Sequence, residues 1–511
     1  MKTSAARSSH MRQGLPFALA MTLFMPAPER ALAGWLGAGI LRPADPDAPH
    51  MTSPHIVTDN HGFPWAMWVR VRAGHESLEM SAWDGAAWTA PACVPNTDDH
   101  MGTYLDFVFD TNDELFMVHP TSGPIKSFRY NPQRREWTGP FILDDTAPMC
   151  AYCSYPRIAI GGGEIWAAWF CMAENLYLCH IKAARWDRLR NEWEAAEIVE
   201  PLQGGTWSRA WFADIAVDGA GTPHVVWTFD SFAYEGVLYY SRREGSVWRE
   251  KERLTPDSLI PVGPHDGTRP RLVVDDRDNL HCCFLGSPPG DGLGRVYYCT
   301  YAAAAQRWGP IVRLDPFNDP VWPSWDKDIA VAGPDNIWVA YDIGDGWFLE
   351  FWHTYVQHFD GVEWSEPERI DDGAQFRGGF PMISLDGRGL PFVVWAPDNT
   401  MTHFGHEIWY NRYEAPAGMP AAFLRGDADA DGAVKFGDAI FTLSYLLARG
   451  TAPSCLDAAD ANDDGRLNIA DAIAILRHVF AGTGPLPAPF PDCGWDETGD
   501  SLTCLESPAC R

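Results

Sequence analysis

A tryptophan recurs through most of this chain at a spacing that few folds can satisfy. Trp35, Trp88, Trp137, Trp193, Trp248, Trp308 and Trp364 each open a short strand-like run, with steps of 53, 49, 56, 55, 60 and 56 residues. Tight-turn dipeptides such as Asp84-Gly85 and Asp360-Gly361 stand just before two of them, as a hairpin entering that strand requires. Three more strand-like runs lie upstream of each Trp, clearest at 214–217, 224–227 and 237–240. Four strands every fifty-odd residues is the period of a propeller blade. Residues 34–414 are therefore expected to be mainly β, a seven-bladed β-propeller. The last unit, about 379–414, has three strands and lacks a closing Trp strand, while Trp35 supplies such a strand alone. The N-terminal strand is expected to complete the last blade, which removes the open edge between first and last blades.

Aligning the first strand of each unit places His55, Asp106, Arg157, Asp214, Arg271, Asp328 and Met382 at one position. First strands line the channel of a propeller, so acid and base should alternate around its axis. Two readings follow. In one, the charges form a structural ion-pair ring, each offsetting its neighbour's desolvation. In the other, Asp106, Arg157, Asp214, Arg271 and Asp328 are catalytic: the arginines hold an acidic sugar's carboxylate while an Asp serves as acid or base. The segments entering these strands should ring one mouth of the channel. They carry Asp98, Asp99, His100 and Tyr104, then Tyr152 and Tyr155, then Trp207, Arg209 and Trp211. Further on come His265, Asp266 and Arg269, then Trp322, Trp325, Asp326 and Lys327, and Arg377. Aromatics beside carboxylates suit stacking on sugar faces, so Tyr104, Tyr155, Trp207, Trp211 and Trp325 are the candidate substrate-binding residues. The second-strand aromatics Trp68, Trp169, Trp227, Phe284, Tyr341 and Trp395 repeat too regularly for a site and read as inter-blade core.

The C-terminal part has a different grammar. Asp427, Asp429, Asp431, Gly432 and Asp438 occupy positions 1, 3, 5, 6 and 12 of one acidic loop; Asp460, Asn462, Asp464, Gly465 and Asp471 repeat the pattern 33 residues on. That is the spacing of an EF-hand-type calcium loop, with Asp at position 12 where Glu is usual. The eight oxygen-bearing residues predict two Ca²⁺ ions. Apolar residues three and four apart follow each loop, so two short amphipathic helices are expected. Position 9 is Lys435 in the first loop, which cannot donate an oxygen, and Asn468 in the second, which can.

Composition fixes the setting. The 511 residues carry a formal net charge of −29, which argues against nucleic acid or anionic membrane as partner and suits cation binding. Lys2, Arg7 and Arg12 precede an apolar run from Leu15 to Ala27, and Ala31-Leu32-Ala33 offers a cleavage site, so residues 1–33 read as an export signal. That run is too short to span a bilayer, and the protein is expected to be secreted, extracellular or at the cell surface. Twelve cysteines fit an oxidising route. Cys455, Cys493, Cys504 and Cys510 should form two disulfides in one of three connectivities. Cys171 with Cys179 and Cys283 with Cys299 each straddle an expected β-hairpin and are placed to bridge neighbouring strands. The Cys150–Cys153 pair is read as disulfide or buried thiol.

The duplicated loop–helix unit, about residues 421–481, resembles the type I dockerin family, and Asp at position 12 fits that family better than EF-hand sensors. The resemblance implies a module that binds two Ca²⁺ and plugs a secreted, usually carbohydrate-active protein into a cohesin on a scaffold or cell surface. At positions 10 and 11, where well-known dockerins carry hydroxyls, this chain has Phe436-Gly437 and Ile469-Ala470. The Trp-bearing units are similar to sialidase-like propellers in period and strand character. Their aspartate-box pattern is not intact here; Asp84-Gly85-Ala86-Ala87-Trp88 echoes it, so that family's catalytic residues do not transfer position by position. The expected organisation is a signal peptide (1–33), propeller (34–414), linker (415–424), EF-hand-like dockerin module (425–481) and a Pro/Cys-rich tail (482–511). A propeller hosts enzymes and binding modules alike. A hydrolase or lyase acting on polysaccharide, with acidic sugars as substrate, stands first; a non-catalytic carbohydrate- or surface-binding propeller is the alternative, and a purely structural one comes third.

Overall fold

The computed structural model describes residues 34–45, 50–72, 75–98, 104–121, 123–143, 152–172, 178–200, 208–231, 237–259, 269–287, 294–315, 324, 326–344, 352–371, 379–396, 407–414, 423–448, 451, 453–482, 484–491, 493–494, 502, 504 and 510. The expected export signal and linker residues 415–422 lie outside them. The propeller has seven blades, whose first strands are His50–Thr58, Asp106–Phe109, Tyr152–Gly161, Ser208–Val217, Arg271–Val274, Lys327–Gly333 and Met382–Leu385. Each opens an antiparallel sheet that runs outward in chain order. The seventh is completed from the other end of the sequence: Gly34 and Trp35 pair with Glu414 and Tyr413, and Gly39 and Ile40 pair with Tyr410 and Trp409. The expected closure is thus the observed one.

The tryptophan ladder acts as mortar between blades. Trp35 packs edge-on against Trp338 of blade 6, Trp248 against Trp166 of blade 3, Trp308 against Tyr240 of blade 4 and Trp364 against Tyr298 of blade 5. Trp88 of blade 1 meets Tyr410 of blade 7, so the same contact crosses the closure. A large indole needs one neighbour per blade, which is why its period equals the blade period. Deeper in, the second-strand aromatics Trp68, Trp169, Trp227, Phe284, Tyr341 and Trp395 are all at most 1% exposed, as the inter-blade reading expects.

A second repeat sits in the first hairpin turn of five blades. Asp59, Asp110, Asp218, Asp275 and Asp386 each accept the backbone N–H groups two and four residues on. Asp does this because its short carboxylate reaches its own turn's amides. Between blades 3 and 4 the chain passes so close that a Cβ on Gly161 would lie 2.0 Å from the Val217 carbonyl oxygen. Gly161 is therefore a packing requirement as well as a turn residue.

The C-terminal module contains α1 (Phe436–Ala448), α2 (Leu456–Ala459) and α3 (Ile469–Leu476). Ala439, Ala461, Ala472, Ile475 and Leu486 form its small core. Arg425, 1% exposed, donates to the carbonyls of Ala488, Asp457 and Asp460 and pairs with Asp463 at 3.0 Å. Phe423 and Gly494 exchange backbone hydrogen bonds. Those contacts, with disulfides Cys455–Cys504 and Cys493–Cys510, fasten the tail to the module and select one of the three connectivities.

Two cysteine expectations are corrected. Cys171 is disulfide-bonded, but not across this hairpin to Cys179: the strand register sets Cys171 opposite His180 and Cys179 opposite Met172. Cys299 faces Cys282 across its hairpin rather than Cys283, and all three are free and buried. A slip of one residue turns a side chain to the other face of the sheet. Cys150 lies outside the described residues, and Cys153 is a buried cysteine that forms no disulfide.

Candidate functional site

The seven aligned first-strand residues do meet at the axis. Each has the same place in its hairpin, opposite Met67, Val118, Ala168, Val226, Cys283, Ala340 and Val394 in turn. His55 Nε2 lies 2.6 Å from Asp106, and Arg271 Nε donates to Asp328 at 2.7 Å. Arg157 stands 3.9 Å from both Asp106 and Asp214, and Arg271 lies 3.8 Å from Asp214. The carboxylates have a second task. Asp106, Asp214 and Asp328 accept the backbone N–H of Ile158, Leu272 and Ile383, each on the first strand of the next blade. Each Asp therefore clips its blade to the following one.

Burial sets the ionisation of this ring. Burial pushes Asp106 up to about 6, against the pull of Arg157 and Arg271. Burial, aided by the charges of Arg271 and Arg157, holds His55 well below the usual imidazole range. His55 Nε2 also lies 3.4 Å from Arg157 NH1, so this one nitrogen faces both an acid and a base of the ring. Burial opposes the charge on Arg271, but Asp328, Asp214 and Asp106 outweigh it and raise its pKa.

A second layer lies two residues before the ring: Ser53, Tyr104, Tyr155, Phe212, Arg269, Asp326 and Phe380. Ser53, Tyr155, Phe212 and Phe380 have φ between 49° and 53°, a left-handed conformation unusual for aromatic residues. In blades 1, 3 and 4 the strand register shifts here, a bulge that re-aims the side chain before the ring residue. Arg269 occupies the centre of the layer. Its guanidinium donates to Asp326 at 3.0 Å and to the Tyr104 hydroxyl, and lies 4.4 Å from the Tyr104 ring centroid. Tyr104 stacks on Tyr155 at 3.7 Å. The offset of two from the ring was available in the sequence, but Phe212, Phe380 and Ser53 carry no polar signature that would single them out.

Both layers open onto one pocket. Arg157 and Arg271 contribute from the ring; Ser53, Tyr104, Arg269, Asp326 and Phe380 from the second layer; Lys327 lies between them. Four cationic side chains and one carboxylate, Asp326, thus line the pocket, with the ring carboxylates behind them. Of the candidate binding residues, Tyr104 lines the pocket and Tyr155 supports it. Trp211 packs instead between Phe170 and Phe212. Trp207 and Trp325 lie outside the described residues, as do Asp99, His100, His265, Asp266, Trp322 and Arg377; of the side chains of Tyr152 and Arg209 nothing is described.

The acidic loops form a second centre. Carboxylate oxygens of Asp427, Asp429 and Asp431 lie within 4.8 Å of one another. Both loops use the same internal bonds. Asp427 accepts from the N–H groups of Asp431 and Gly432, and Asp460 from those of Asp464 and Gly465. Asp438 and Asp471, the position-12 ligands, are buried and accept from positions 3 and 9 of their loops. Asn462 and Asp464 sit side by side in the second loop, 3.2 Å apart. Hard oxygen donors converging without enough countercharge fit a divalent cation such as calcium. The structure alters the reading of position 9. Lys435 pairs with Asp431 at 2.9 Å, and Asn468 caps α3 by accepting from Ala470 N–H. Both residues serve the loop's own framework. Chelating calcium from the whole chain should destabilise this module by about 3–4 kcal/mol if free Ca²⁺ had stood several hundred-fold above its Kd. Calorimetric melting with and without chelator measures it; superimposable curves would remove calcium from the account.

On the outer faces of α1 and α3, Phe436, Ile440, Leu447, Ile469 and Ile473 are 43–74% exposed, and Phe480 beyond α3 is 70% exposed. Among the described residues no helix is long and apolar enough to cross a membrane.

No curated protein matches the chain in sequence. The propeller is similar in fold to a Dyadobacter fermentans protein of unknown function (11% identity, 75% of this chain and 99% of that one, TM-score 0.44). It is likewise similar to an ulvan lyase from a new polysaccharide lyase family (11%, 74% and 95%, TM-score 0.47) and to the NanB sialidase of Streptococcus pneumoniae (11%, 73% and 69%, TM-score 0.41). Residues 425–479 match the dockerin type I domain, a calcium-binding module whose usual partner is a cohesin and whose carriers are typically extracellular or cell-surface proteins.

Proposed function

We propose that this is a secreted protein whose propeller acts on an acidic polysaccharide at the mouth of its channel, held in place by a dockerin module carrying two Ca²⁺. The observation that supports the propeller half is the pocket itself. Four cationic side chains gather at one opening, beside Tyr104 stacked on Tyr155, in a chain whose net charge is −29. Cations concentrated against the overall charge attract an anionic chain, and the Tyr104 ring walls the opening beside them. In this reading Arg157 and Arg271 hold the acidic group. The ring carboxylates Asp106, Asp214 and Asp328 set the field, and Asp106 exchanges protons with substrate through His55, whose Nδ1 has no hydrogen-bond partner. The module's exposed apolar row on α1 and α3 is the surface offered to a cohesin-type partner.

A second reading has a specific observation in its favour. All three ring carboxylates already hold a backbone N–H of the next blade, which suits a permanent structural role and a pocket that binds without cleaving. One experiment separates the two. The whole protein with Ca²⁺ is incubated with uronic-acid, sulfated and sialylated polysaccharides, and new reducing ends and unsaturated sugars are measured. Release from an acidic polymer but not a neutral one is the expected result. Retention of the polymer without release would retire the enzyme and leave the binding module.

A further inference from the structure

One group in the pocket is expensive to keep as it stands. Lys327 lines the pocket yet is 0% exposed, and its Nζ has no hydrogen-bond partner among the described residues. The acid that acts on it, Asp326, is committed elsewhere: one oxygen takes Arg269 at 3.0 Å and the other the Lys327 backbone N–H at 2.9 Å. Beside it Arg271 directs Nε at Asp328, while its NH1 is buried and has no partner. The remaining neighbours add to the imbalance, since Arg269 also faces Lys327 and the buried Cys283 is a neutral thiol whose own pKa burial raises. An unpaired buried ammonium normally costs several kcal/mol, and burial accordingly lowers the pKa of Lys327, a cost that an anionic ligand in the pocket would offset.

We infer that Lys327 and the free NH1 of Arg271 form an oxyanion subsite for the carboxylate or sulfate group of a sugar. The assignment deepens the acidic-glycan reading and rests on it only for the sugar. It also moves the principal contact from the ring arginines together to a lysine one residue before the ring. Arg157 and the Nε of Arg271 have carboxylate neighbours in the ring, whereas Lys327 Nζ and Arg271 NH1 bring donors that no group among the described residues uses. Ammonium and guanidinium donors fit a carboxylate or sulfate equally well. Binding there replaces the missing partners and leaves the Tyr104–Tyr155 stack beside the sugar ring.

The test uses the whole chain with Ca²⁺, with sodium glucuronate, sodium sulfate and glucose as probes, and reads thermal unfolding of the propeller. At about 10 mM, too dilute for general salt exclusion, glucuronate or sulfate should raise Tm by about 2 °C or more and saturate, while glucose does nothing. Which anion acts distinguishes a carboxylated from a sulfated ligand. Lys327→Met should abolish the shift and, without anion, melt about 2 °C above the parent, because a desolvated charge has gone. Three results would overturn the subsite: no saturable shift with either anion, an undiminished shift in Lys327→Met, or a Lys327→Met protein that melts lower or fails to fold. Anion binding without polysaccharide cleavage leaves the subsite standing and ends the enzyme reading. Cleavage of an acidic polymer that Lys327→Met leaves untouched does the reverse.

Discussion

Asp328→Ala should cost the propeller about 3–5 kcal/mol, the largest loss expected from any single ring residue. Asp328 is 1% exposed and serves two groups at once: Arg271 Nε at 2.7 Å and the Ile383 N–H at 2.9 Å. Removing it leaves a buried guanidinium with Asp214 3.8 Å away as its nearest remaining carboxylate, and frees an amide that tied blade 6 to blade 7. Asp328→Asn should cost less, because an amide oxygen still accepts from Ile383. Urea or thermal unfolding of the two variants measures the difference. A loss below about 1 kcal/mol for Asp328→Ala would mean that the ring does not hold the blades together, and its charges would then be free for substrate. The expected signs are opposite for neighbours in sequence: Asp328→Ala destabilises strongly, while Lys327→Met stabilises.

Deletion of residues 34–45 should be comparably severe, at least about 4 kcal/mol. Leu41 is 5% exposed in the core between blades 7 and 1, Trp35 packs on Trp338, and Arg42 reaches Glu79 of blade 1 at 3.0 Å. Without this segment the strand Ile408–Glu414 becomes an open edge beside an unfilled groove, an invitation to aggregation as well as to unfolding. Differential scanning calorimetry of the shortened protein checks it. An unchanged melting temperature would show that the closure is incidental to stability.

The fold was legible wherever one residue type had to recur once per blade. The tryptophan ladder, the buried second-strand aromatics and the charged ring all repeat because each blade meets its neighbour in the same way. The acidic loops were legible for a stricter reason, since coordination geometry fixes both residue type and spacing over twelve positions. Trp211 was harder to place. An aromatic near a channel mouth looks alike whether it faces a ligand or packs on Phe170, and only the bulge before Asp214 decides between them. Cys282 and Cys283 differ by one position, and strand register alone says which of them faces Cys299.

Sequence by itself determined the number of blades, the closing role of the N-terminal strand, the alternating charges at the axis and the calcium loops. These are periodic or coordination-bound features, written in spacing. Tertiary structure decided what the charges do. It gave the ring carboxylates to backbone amides of the next blade, set Arg269 among tyrosines, and left Lys327 and one arm of Arg271 buried without partners at the pocket. Hydrogen-bond satisfaction is a property of groups brought together from distant blades, so no local pattern in the chain could announce it.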